Sequence, residues 1–268
     1  MNYSEIVGIV RERNRPSGGI KTVQEVAVNG MIKPTHKVLE IGSNTGFTSV
    51  NLALLTDCSV VGIDLLDTSI QEARLYAKAH KVENLVSFKK STALEIPYEN
   101  DHFDFIWASN VTSFINDKRK VLKEYSRVLK MGGILVMVPI YYHKRPPKEL
   151  IHSVSKAIGS KIEVWDKDFW IELIKETKDP NFCFEPIYQS AYRYDDKDSF
   201  VEKYVENIFD KEHLKNFDKE KFQKLKKEYT KYIHLFNENL KYAEYSVLLF
   251  QKRRLTDEQE LFTTKKIS

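Results

Sequence analysis

Cysteine is almost missing from this chain: Cys58 and Cys183 are the two in 268 residues. So distant a pair provides no metal-ligand spacing and no disulfide framework, and a reducing, cytoplasmic setting is the expectation. Long apolar runs are missing too, so no transmembrane span and no membrane partner are expected. The opening Met1-Asn2-Tyr3-Ser4-Glu5 lacks the basic and apolar regions of a signal peptide. An excess of one charge sign is also lacking: 42 basic and 38 acidic residues leave a net charge of +4. The densest lysine stretch, Lys211 to Lys231, is interleaved with Glu212, Asp218, Glu220 and Glu228, the pattern of a solvated helix face. No basic stripe marks a nucleic-acid partner. Internal repeats and low-complexity segments are absent as well.

What is present suits one globular core with sizeable insertions. Hydrophobic residues make up 42% and aromatic residues 12%, enough to fill such a core, and 30% are charged. After a flexible Arg15-Pro16-Ser17-Gly18-Gly19 segment, residues 20–32 read as a short helix. Short apolar runs then alternate with helical periodicity. Strands are expected over 38–41, 60–63, 86–89, 103–108 and 134–140, with helices over 47–55, 69–80 and 118–129. Met131-Gly132-Gly133 reads as a C-cap turn that closes the last of these helices. This alternation implies right-handed βαβ units and a parallel sheet. Beyond Pro139 the pattern loosens. Residues 148–178 look like two helices, 182–194 and 245–252 like strands, and 197–241 like a helical insertion. A polar tail spans 253–268.

The chemistry concentrates in Val38-Leu39-Glu40-Ile41-Gly42-Ser43-Asn44-Thr45-Gly46-Phe47, followed by Val60-Val61-Gly62-Ile63-Asp64. A glycine-bearing loop between strand and helix lets a ligand approach the backbone. An acid ending the next strand sits beside it, where it accepts hydrogen bonds from ribose hydroxyls. A dinucleotide site needs Gly-x-Gly-x-x-Gly to seat a pyrophosphate on the helix N-terminus. Here the spacing is Glu40-x-Gly42-x-x-x-Gly46. A carboxylate aimed at that loop repels a pyrophosphate but suits a ligand bearing ammonium and sulfonium charges.

Further segments follow in order: Phe88 to Tyr98, Phe103-Asp104-Phe105-Ile106-Trp107, and Arg127 to Gly133. Together the four resemble the class I S-adenosylmethionine-dependent methyltransferases, of the small-molecule and ubiquinone-biosynthesis kind, over about residues 36–140. The resemblance implies an α/β, Rossmann-like, seven-stranded and mostly parallel sheet sandwiched by helices, with helical insertions in the C-terminal half. It implies a helical lid segment at 1–32 and a cofactor-binding core at 33–145. The last strands then lie within 146–252, with substrate-side insertions at 148–180 and 197–241. S-adenosylmethionine is the implied cofactor and S-adenosylhomocysteine its product. Glu40, Gly42, Ser43, Asn44 and Gly46 would hold the methionyl part, Asp64 the ribose, and Leu65 the adenine face. Thr92, beside Ala93, stands where the family usually has an acid against the adenine amino group. Ser109 and Asn110 would face the sulfonium and the entering acceptor.

Methyl transfer from a sulfonium is a direct displacement that needs positioning more than it needs a metal or a base. The acceptor expected is a small molecule. Tyr141, Tyr142 and His143 follow the fifth strand, and Tyr142 and His143 are the candidate catalytic side chains. Arg13 to Gly19 is a candidate lid over the cofactor. Trp165, Phe169, Trp170, Tyr192, Tyr194 and Tyr204 suit either an acceptor pocket or the packing of the insertion. Other readings are a protein or RNA target, a non-catalytic cofactor-binding partner, or a nucleotide-dependent oxidoreductase, the last disfavoured by the loop spacing. The oligomeric state stays open, a homodimer included.

Overall fold

The computed structural model describes residues 3–177, 179–194 and 199–255. Helix α1 (Tyr3–Val10) and helix α2 (Ile20–Asn29) precede the sheet. The first half then alternates β1 (Lys37–Ile41), α3 (Phe47–Thr56), β2 (Ser59–Asp64), α4 (Asp67–Ala79), β3 (Val86–Lys90), β4 (Phe103–Ala108), α5 (Lys118–Val128) and β5 (Leu129–Met137). A 3-10 turn, Asn110–Phe114, links β4 to α5. The second half holds β6 (Ile140–Tyr142), α6 (Lys148–Ile158), α7 (Lys167–Lys175) and β7 (Phe182–Arg193). It closes with α8 (Ser199–Phe209), α9 (Glu212–Lys215), α10 (Lys219–Leu240) and β8 (Ala243–Arg254).

Strands β3-β2-β1-β4-β5 pair in parallel, and β8 lies antiparallel to β5, β6 and β7. The fold class is therefore the expected α/β sheet of mostly parallel strands, with eight strands among the described residues where seven were expected. The extra strand has a local cause. Ile134 lies opposite Gln251, Met137 opposite Leu248 and Ile140 opposite Tyr245, so β5 and β6 keep one register against β8. They are two halves of one strand, interrupted at Val138-Pro139, where proline has no N–H to donate to a ladder.

Consecutive residues in the central strands enter opposite layers, as a pleat requires. Val38, Val60, Phe105, Trp107 and Val136 join the layer under α2, α3 and α4. Leu39, Ile63, Ile106, Leu135 and Met137 join the layer under α5 and α7. Burial on both faces explains why these strands read as unbroken apolar runs.

Three expectations need correction. The helix α5 does not end in a glycine cap: Leu129 is its extended C-cap residue and already pairs with Phe103, so Met131 to Gly133 form a bulge inside β5. The polar tail starts later than 253, because Arg253 and Arg254 pair with Cys183 and Phe182; the stretch beyond 255 lies outside the described residues, as do residues 197 and 198 of the expected insertion. The N-terminal 32 residues are not one unit. Helix α2 packs beneath the sheet, whereas α1 inserts Ile6 and Val10 among Val201, Val205, Leu214 and Tyr229 of α8 to α10. Two helical pieces far apart in sequence thus form one cap.

No helix among the described residues is long and apolar enough to cross a membrane. Ile6 is fully buried in the cap, so Ile6→Ala is expected to cost about 2–5 kcal/mol there. Hydrogen exchange should show α1 and α8 to α10 losing protection together while β1, β4 and β5 keep theirs; equal loss in the sheet would refute a separate cap cluster.

Candidate active site

The C-terminal ends of β1, β2 and β4 lie side by side because those strands are parallel neighbours. The chain leaves β1 through Gly42 at φ +67 and enters α3 from Gly46 at φ +81, backbone conformations that a side chain opposes. A Cβ on Gly42 would lie 2.7 Å from Val111, and one on Gly46 2.9 Å from the Phe88 ring. The loop between them is therefore held close to its neighbours on both sides.

Asp64 organises this edge. Its carboxylate accepts the N–H of Asn44 at 2.9 Å and that of Leu66 at 3.0 Å. Ser43 donates its N–H to the Ile63 carbonyl, and Ser91 donates to the Asp64 carbonyl, both at 2.9 Å. A carboxylate offers about four lone-pair sites, so both oxygens keep capacity for ligand hydroxyls. Within the loop the hydroxyl oxygens of Ser43 and Thr45 are buried, and among the described residues neither has a hydrogen-bond partner. Orphaned oxygens are costly unless a ligand meets them. Together with the acid beside them, they fit a polar, nucleoside-bearing cofactor.

Glu40 lies beneath the loop, 5% exposed. Its carboxylate accepts the Ser49 N–H at 2.9 Å and also the Ser49 hydroxyl, so it satisfies one of the free N–H groups at the start of α3. Burial pushes its carboxyl up to about 7, against the lowering effect of bonds from Ser49 and Thr48, and nearby Asp64 raises it further. A cation arriving at this edge meets a group poised to ionise.

The remaining expected cofactor residues ring the same edge. Leu65 and Leu66 are 63% and 59% exposed after β2, an apolar surface of the kind a flat ring covers. Thr92 accepts the Leu94 N–H at 3.2 Å, and Ala93 is buried beside it. Ser109 accepts from Trp107 at 2.8 Å, and the Asn110 side chain accepts the Ile140 N–H at 3.2 Å and the Ser113 hydroxyl at 2.7 Å. Asn110 thereby splices the loop after β4 to the start of β6.

Tyr142 and His143 belong to a different contact set. The Tyr142 hydroxyl donates to Asn239 at 3.1 Å and His143 bonds the Lys241 carbonyl at 3.3 Å, so both tie β6 to the end of α10. Burial raises the phenols of Tyr141 and Tyr142, which keeps them proton donors. Most of the later aromatics pack. Trp165 stacks on Phe169 at 3.9 Å, Trp170 is 1% exposed, and Tyr192 stacks on Tyr245 at 5.0 Å. The N-terminal segment does lie at this edge. Arg15 sits 5.1 Å from the centroid of Phe47, the residue after Gly46, and Ser17 shares a 2.6 Å hydrogen bond with Tyr194. Thr45 is the side chain here that the motif spacing left unassigned, whereas Arg15 falls in the candidate lid from Arg13 to Gly19.

Comparison with known proteins agrees with this geometry. A family model described as a methyltransferase domain matches residues 32–179. The methyltransferase GfsG of Streptomyces halstedii is 34% identical over 105 residues, which are 39% of this chain and 38% of that protein. The chain thus aligns with well under half the length of that relative. The crystal structure of MccD superposes with a TM-score of 0.74 at 20% identity, covering 90% of this chain and all of that one. A putative sarcosine dimethylglycine methyltransferase from Galdieria sulphuraria superposes with a TM-score of 0.64 at 20% identity, over 87% of this chain and 83% of that one. At such identities these two structures establish the fold.

The Glu40 environment predicts a pH signature in the ligand-free protein. Its carboxyl holds a proton up to about pH 7 when folded but only to about 4.5 when unfolded. The folded state thus binds more protons in between, and the stability from this group is full below 4.5 and lost as pH rises through 7. Urea titrations of wild type and Glu40→Gln should diverge across that window, with wild type losing stability relative to the variant as pH increases. Parallel curves would show that Glu40 is ionised throughout.

Proposed function

Because the chain belongs to the class I S-adenosylmethionine-dependent methyltransferases, we propose that it transfers the methyl group to a small-molecule acceptor beneath the helical cap. The observation that carries the cofactor half is the pair of unpartnered Ser43 and Thr45 hydroxyls beside Asp64. In this reading Asp64 accepts the ribose hydroxyls, Glu40 faces the ammonium end, and Leu65 covers the adenine. The hydroxyl of Thr92 substitutes for the family's usual acid and binds the adenine amino group less strongly than a carboxylate would. The cofactor, when bound, supplies an activated methyl group. The protein's own work is to align the acceptor, keep water out and hold the loop in place.

Two observations support the small-molecule acceptor. Helices α8 to α10 and α1 form a cap beside the strand ends, and a cap of this kind encloses a small ligand better than it admits a macromolecule. The chain also shares its fold with the Galdieria protein, whose name assigns it a small amino-acid substrate. Tyr142 and His143 serve here as the attachment of β6 to the cap, so acceptor activation rests on positioning.

Calorimetry with S-adenosylhomocysteine tests the cofactor half. Wild type should bind, and Asp64→Ala should weaken binding by about 1.5–3 kcal/mol for each charge-assisted hydrogen bond lost. Because the variant also releases Asn44 and Leu66, its thermal midpoint should fall without ligand. Absence of any binding to wild type would defeat the reading.

A further inference from the structure

A cavity of about 460 Å³ opens between residues 11–15 and the cap helices α8 and α9. Four cationic side chains line it, Arg11, Arg13, Arg15 and Lys211, together with His213 and one acid, Glu12. Glu12 offsets at most one of these charges, and its carboxylate also accepts the hydroxyls of Tyr3, at 3.2 Å, and Tyr204. Among the described residues no carboxylate is paired with Arg11, Arg13 or Arg15. Lys211 donates to the carbonyls of Val10 and Arg11, both at 2.7 Å, which fixes the segment against the cap. Burial lowers the Lys211 amine, Glu12 raises it in part, and the three arginines lower it further. Like charges held this close repel each other unless an anion joins them.

The segment also reaches the cofactor edge. Arg13 lies 3.7 Å from the ring centroid of Tyr76 on α4, and Arg15 covers Phe47 at the head of α3. We propose that this cavity is the subsite for a phosphate-class group on the methyl acceptor. Planar guanidinium forks pair two oxygens at a time, and four cations against one engaged carboxylate match a multiply charged oxyanion better than a single carboxylate. The volume lies in the range of ligand pockets. The proposal rests on the small-molecule methyltransferase reading given above.

Calorimetric titration of the full chain with inorganic pyrophosphate, in the presence of S-adenosylhomocysteine, tests it. Wild type should bind pyrophosphate and should prefer it to acetate at equal ionic strength. The double variant Arg11→Gln/Arg15→Gln should bind it about tenfold or more weakly, as expected for lost charge-assisted hydrogen bonds. Arg11→Lys/Arg15→Lys should recover part of the loss, and far-ultraviolet dichroism should show all variants folded. Because Arg15 lies at the cofactor edge, S-adenosylhomocysteine affinity is compared in Arg11→Gln alone, where it should stay within about threefold of wild type, the scatter of distant sites. Equal binding of acetate and pyrophosphate, or unchanged pyrophosphate binding in the double variant, would overturn the proposal. So would an equal loss of S-adenosylhomocysteine affinity in Arg11→Gln, which would make the cavity a cofactor subsite. If wild type binds pyrophosphate but no S-adenosylhomocysteine, the methyltransferase reading falls and the anion site remains.

Discussion

One carboxylate, that of Asp64, bonds the backbone on two sides at once, and the arrangement of the strand ends follows from it. By accepting the N–H groups of Asn44 and Leu66, it locks the loop after β1 to the loop after β2. Parallel strands bring those loops to one edge but do not set the angle between them. The shared acceptor does. Gly42 and Gly46 are then required, because the loop turns between fixed points with Val111 on one side and Phe88 on the other. The same acid that builds the edge keeps unused lone pairs, so in the proposed reading scaffold and recognition share one side chain.

Glu40 has the complementary part. A buried carboxylate is costly unless it is bonded or neutral, and the bonds from Ser49 reduce that cost without removing it. Burial dominates, leaving the group near neutral titration. A site that holds one carboxylate among backbone N–H groups and a second acid poised beneath it is suited to a ligand with both hydroxyls and positive charge. A pyrophosphate meets repulsion at the same place.

The central sheet was legible in the sequence because its strands are buried on both faces. Phe103–Ala108 shows this well: every residue is apolar except Asp104, and the observed strand has the expected limits. The site loop was legible for a different reason, since a glycine-flanked turn before a helix has few other uses. What escaped depends on partners distant in the chain. Helix α1 carries only two core residues, Ile6 and Val10, and their meaning comes from α8 to α10 some two hundred positions later. The bulge at Met131 to Gly133 looked like a helix stop because glycine suits both; pairing of Leu129 with Phe103 decides between them. Tyr142 and His143 attracted attention by lying after a strand, but their partners, Asn239 and the Lys241 carbonyl, have no counterpart in any local spacing.

The division of the cap between the two ends of the chain bears on how the protein is made. Helix α1 leaves the ribosome well before α8 to α10, yet Val10 waits for Val201 and Tyr229 to bury it. At a synthesis rate of about 5–20 residues per second, that interval is roughly 10–40 s. Throughout it strands β1 to β5 have time to pair, while an apolar helix ahead of them in the chain remains uncovered. Closure of the cap and insertion of β8, made directly after α10, are thus late steps, and the waiting helix is the part that a holding chaperone has most reason to shield.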